Sequence, residues 1–167
     1  MAYKNKTYVC FDGDSDMREY RLMCAWAANE NASFKFHNAH DLNTARDDSL
    51  PESIKAQLRL RLDNTKLMLV LIGEKTKSLR KFIPWELEQA AARNIPLIGI
   101  NLNGARQKDS LCPAGLANTL AVFVSFKQKI IEHAIDDWPG EHELYRSQQK
   151  SSDYRYVDAV YANLGIA

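Results

Sequence analysis

Residues 67–73 read LMLVLIG, seven positions without one polar side chain. A strand with a wet face alternates apolar and polar residues, so an unbroken apolar run needs both faces covered. The run is far too short to span a bilayer. It therefore predicts a central strand of a sheet that carries helices on both sides. PLIGINL (96–102) repeats the signal, and TYVCF (7–11), AVFVSF (121–126) and the short FKF (34–36) complete five candidate strands.

Helical spacing fills the intervals. Met17, Tyr20, Leu22, Met23, Ala27 and Ala28 predict a helix over 16–30. Ser49, Leu50, Pro51 and Glu52 form a helix start, and Ile54, Leu58 and Leu62 carry that helix to about Asp63. Further helices are expected at 84–94, 127–135 and 154–165, with DDWPGEHELYRSQQKSSD between the last two as a loop. Strand–helix alternation with right-handed crossovers predicts an α/β fold, a flavodoxin-like three-layer sandwich on a five-stranded parallel sheet. The whole chain, 1–167, reads as one domain. Such sheets bind ligands beyond the carboxyl ends of their strands. That directs attention to the loops at 12–16, 38–48, 73–82 and 101–110.

Charge excludes some partners. With 22 Lys plus Arg against 21 Asp plus Glu, the chain has no electrostatic footprint for nucleic acid or an anionic membrane. The three cysteines, Cys10, Cys24 and Cys112, form no CxxC pair, and Cys10 and Cys24 read as small core residues. MAYKNKTYVCF has no long apolar segment of the signal-peptide kind, so a reducing cytoplasm is the expected location. His37, His40 and Asp41 lack a third metal partner, and Asp12, Asp14 and Asp16 read as a turn, so no metal is expected.

FIPWELEQAAARNIPLIGI (82–100) holds the one pair that asks for chemistry, Trp85-Glu86. Pro84 suits a first helical turn, because it has no amide hydrogen to lose and its φ is preset. Glu86 then falls where free amides and the helix dipole favour a carboxylate, which is ordinary helix chemistry. On a stripe through Ile83, Leu87, Ala90 and Ala91, Glu86 takes the margin and Trp85 the far side, with Glu88 a solvated charge.

VLIGEKTKSLRKFIPWELEQAAARNIPLIGINLN resembles the central block of TIR-like domains, in the bacterial subgroup typified by ThsB of the Thoeris anti-phage system. The matching residues are Ile72-Gly73, Thr76, Arg80 and Lys81, Trp85-Glu86 and Ile98-Gly99-Ile100, with a looser match at VCFDGDSD. The resemblance covers roughly 7–103. It implies cleavage of NAD⁺ at the nicotinamide–ribose bond, with NAD⁺ as substrate and no resident cofactor. It further implies a cyclic ADP-ribose-type product that signals to an effector protein, and homo-oligomeric or filament-like self-association. The family's catalytic glutamate carries over to Glu86. Nucleotide contacts carry over to Phe11, Asp12 and Asp16 after the first strand and to Asn38, His40 and Asp41 after the second, joined by Thr76 and Trp85 from the central block. The chain departs from that expectation in its acidic first loop and in lacking a glycine-rich phosphate cradle. Pyrophosphate contact would fall to Arg18, Arg46, Lys75, Lys77 or Arg80. The rival reading is a non-enzymatic adaptor, in which Trp85, Trp138, Tyr154, Tyr156 and Tyr161 serve interfaces. A phospho-receiver domain is excluded, because the third strand ends Leu71-Ile72-Gly73-Glu74 without an acceptor aspartate. A deoxyribosyltransferase-like enzyme, also working through a carboxylate at an anomeric carbon, is the third alternative.

Overall fold

A computed structural model describes residues 7–29, 52–80 and 82–166. The strands are β1 (Thr7–Cys10), β2 (Leu67–Ile72), β3 (Leu97–Asn101), β4 (Ala121–Ser125) and β5 (Asp153–Arg155). The helices are α1 (Met17–Ala28), α2 (Glu52–Asp63), α3 (Phe82–Ala92), α4 (Ala114–Ala117), α5 (Gln128–Ser147) and α6 (Asp158–Asn163). The five strands are all parallel and lie in the order β1-β2-β3-β4-β5. The fold is α/β, a flavodoxin-like sandwich.

The apolar run works as its composition demands. All six β2 residues are buried, and they alternate between two cores. Leu67, Leu69 and Leu71 face α1, α5 and α6 with Tyr20, Met23, Ile131 and Trp138. Met68, Val70 and Ile72 face α2 and α3 with Leu58, Leu62, Ile83 and Leu87. Parallel register carries the alternation across the sheet: Val9 pairs with Leu69 and Cys10 with Val70. Gly99, mid-strand in β3, is required by packing, since a Cβ there would lie 2.6 Å from the Phe123 ring.

Three sequence expectations need correction. The segment 128–147 is one helix, although Pro139 and Gly140 stand inside it. An interior proline costs about 3 kcal/mol. Here burial of Trp138, Pro139 and His142 against the sheet overrides that propensity. Residues 153–155 are a strand paired to β4, not the start of a helix. Tyr154 is fixed by stacking on Tyr145 at 4.5 Å, and the Tyr156 hydroxyl donates to Asp137 at 2.9 Å. The terminal helix begins only at Asp158. The expected strand at 34–36 lies outside the described residues.

Candidate active site

Helix α3 starts at Phe82, two residues before Pro84. Pro84 is thus its third residue, still among the positions whose amides need no partner. The early start adds Phe82 to the buried face, while Ala91 falls outside it. Phe82, Ile83, Glu86, Leu87 and Ala90 form the buried face, so Glu86 lies within the stripe and not at its margin. Trp85 is half-buried rather than exposed: α2 leans over it, with Lys55 Nζ 6.0 Å and the Arg59 guanidinium 5.6 Å from the ring. Both cations are held by Glu52, at 3.7 and 3.5 Å. Glu88 is exposed, as its phase predicts.

The Glu86 carboxyl has 0% exposure. The Tyr8 hydroxyl donates to its Oε1 at 3.0 Å, and both groups are buried. Oε2 is buried without a hydrogen-bond partner. Burial pushes the Glu86 pKa up to about 8, against weaker hydrogen-bonding pulls from Cys10 and Tyr8 in the other direction. Oε2 itself makes no hydrogen bond, so the Cys10 thiol is a neighbour of the carboxyl and not a partner of that oxygen. The helix dipole therefore does not keep this carboxylate ionised, because loss of hydration outweighs a term of about 0.3–1 kcal/mol. Burial thus favours the protonated form of the resting group. Burial, followed by proximity to Glu86, also raises the Tyr8 hydroxyl and Cys10 thiol pKa values.

A second group sits at the carboxyl ends of β1 and β2. Thr76 opens a 3₁₀ turn, Thr76–Ser78, and its hydroxyl accepts from the Gly73 amide at 2.9 Å. It also reaches Asp16 Oδ2 and the Leu71 carbonyl, each at 3.4 Å. Asp12 Oδ1 accepts from the Asp14 amide at 3.0 Å, a turn within the loop. Asp16 is raised to about 6, chiefly by burial and then by Asp12 and Glu19. Its carboxylate stands 2.5 Å from where a Gly73 Cβ would be. Asp16 and Gly73 border an open cleft of about 540 Å³, which is also lined by Asp14, Glu19 and Glu74, with Lys75 the cation in its wall among the described residues.

The expected site residues thus divide. Asp12, Asp16 and Thr76 come together at the strand ends. Phe11 stacks on Tyr20 at 4.3 Å within the core on the α1 side, so its ring is already occupied. Glu86 and Trp85 belong to the opposite core with Tyr8 and Cys10, and Glu86 does not line the cleft. Asn38, His40, Asp41 and Arg46 lie outside the described residues. Of the expected phosphate cations, Lys75 borders the cleft, Lys77 donates to the Ser110 carbonyl at 2.9 Å, and Arg18 and Arg80 are exposed. Tyr8 and Cys10 were missing from the sequence reading of the site. Period-two alternation in TYVCF puts both on one face, and a buried tyrosine hydroxyl needs a partner.

The family profile described as Thoeris protein ThsB, TIR-like domain, matches residues 8–107. The chain belongs to the ThsB TIR-like family. The match runs from Tyr8 past the end of β3, so this TIR-like domain carries Tyr8, Cys10, Asp16, Thr76 and Glu86 within its family region, with β4 to α6 beyond it. Family membership places the domain in the context of anti-phage defence. A comparison with curated proteins gave no match. Among the described residues, no helix is long and apolar enough to cross a membrane.

Proposed function

We propose that this TIR-like domain cleaves NAD⁺ at the nicotinamide–ribose bond, with Glu86 as the catalytic carboxylate, and releases a cyclic ADP-ribose-type signal during phage infection. One observation carries the reading: Glu86 is fully buried, pairs with no cation among the described residues, and leaves one oxygen unpartnered. An acid that merely supported a helix end would sit at exposed amides. A buried carboxyl with a perturbed pKa and an idle acceptor weakens the fold it sits in, and such groups concentrate at functional sites.

The chemistry follows from charge. When the C–N bond breaks, its electron pair leaves with neutral nicotinamide, and positive charge develops on the ribose carbon and ring oxygen. Ionised Glu86 would stabilise that charge, as carboxylates do in glycoside cleavage. The cationic nicotinamide–ribose end of NAD⁺ favours loss of the Glu86 proton as it approaches. Water then completes hydrolysis, or a nucleophile of the same nucleotide closes a ring. Cleavage requires that Oε2 be uncovered, which fits a domain working in a self-assembled form and in the cytoplasm, with its nucleotide product reaching a separate effector. Purified protein incubated with NAD⁺ should release nicotinamide, Glu86→Gln should abolish release, and Glu88→Gln should leave it nearly unchanged. Full turnover by Glu86→Gln would remove Glu86 from the mechanism.

The zero exposure of Glu86 also favours a second reading, a TIR-like self-association module without catalysis. Concentration-dependent assembly without nicotinamide release, assayed on the assembled form, would support it.

A further inference from the structure

We infer that Tyr8 is a positioning residue for Glu86, fixing Oε1 so that Oε2 is the oxygen presented to the substrate. This rests on the reading of Glu86 as the catalytic carboxylate. The two side chains come from β1 and α3, both at 0% exposure, and meet through one hydrogen bond of 3.0 Å. A phenylalanine would fill the same core volume without bringing a polar group that must be satisfied. Locking one carboxyl oxygen defines the orientation of the other, and Oε2 is left without a partner. Pre-set orientation of this kind is how an enzyme avoids reorganising its charges during reaction.

Among the described residues, the titratable groups facing the carboxyl are Tyr8 and Cys10 of β1, and Arg61 of α2 acts on Tyr8. The Tyr8 hydrogen bond favours the ionised form of Glu86. Its loss therefore raises the Glu86 pKa further and moves the acid limb of kcat/KM to higher pH.

The test is Tyr8→Phe, which deletes one oxygen. Expected are a fall in kcat of roughly tenfold to a hundredfold, KM within about twofold of wild type because the buried Tyr8 hydroxyl is engaged by Glu86 Oε1, and an acid limb displaced upward. A role confined to packing would leave the limb in place. Wild-type kcat and pH profile in Tyr8→Phe, together with an inactive Glu86→Gln, would overturn this inference alone. Turnover by Glu86→Gln at the wild-type rate would overturn NAD⁺ cleavage through Glu86 and this inference with it. A readout free of turnover is the Glu86 carboxyl infrared band, isolated by subtracting the Glu86→Gln spectrum and titrated in wild type and Tyr8→Phe. An upward shift in Tyr8→Phe supports the inference; an unchanged or lowered titration overturns it.

Discussion

Glu86 concentrates the conflict between folding and chemistry in one side chain. Its folded-state pKa of about 8 exceeds the ordinary value of 4.5, so the folded state binds the proton more tightly than the unfolded chain. Stability from this group is therefore fully present below about pH 4.5, declines as pH rises and the unfolded chain alone gives up its proton, and levels off above about pH 8. The decline amounts to a few kcal/mol in order of magnitude. Denaturant titrations at pH 5, 6.5 and 8 should follow that slope in wild type, whereas Glu86→Gln should be flatter, because glutamine does not titrate. Equal slopes in the two proteins would mean that the carboxyl is already ionised and solvated. Gly73 gives a second residue-scale prediction. A Cβ there meets Asp16 Oδ1 at 2.5 Å, so Gly73→Ala forces the Asp16–Thr76 contact apart. A loss of about 1–3 kcal/mol is expected in thermal or denaturant unfolding, typical of overpacking.

At the scale of elements, legibility followed local pattern. β2, β3 and β4 were readable because a strand covered on both faces must be apolar throughout, whatever its neighbours are. β5 was not readable: its three residues are exposed, half-buried and exposed, and it is held by Tyr154 stacking on Tyr145 of α5, a contact no local pattern encodes. The length of α5 was hidden by Pro139 and Gly140, whose propensities argue for a loop until burial of Trp138 and His142 is known. In α3, Trp85-Glu86 is legible as a local signal, an aromatic–acid pair in the first turns of a helix. Its surroundings are not legible, because a proline reads as the first helical residue and hides the true start, Phe82, from the buried face. With Phe82 buried and Ala91 exposed, the buried face centres nearer Glu86, which lies in the core. The clamp between α2 and α3 is testable at this scale. Trp85→Ala removes the ring under Lys55 and Arg59 and should cost about 2–4 kcal/mol, read as a lower denaturation midpoint. No change would mean that the ring contributes surface only.

For the whole molecule, two sets of polar groups lie in different places. An acidic cleft opens at the carboxyl ends around Asp16 and Glu74, while Glu86 lies in the α2–α3 core under β1. The family region, residues 8–107, contains both sets, and the elements after it close one side of the fold through Trp138 and Tyr161. The NAD⁺ reading concerns the Glu86 side and gives the cleft no catalytic part. The most direct test is nicotinamide release from NAD⁺, followed by chromatography, for wild type, Glu86→Gln and Glu88→Gln in both assembled and dilute protein. Release by wild type and Glu88→Gln but not by Glu86→Gln is expected. Equal release by all three would contradict a catalytic Glu86.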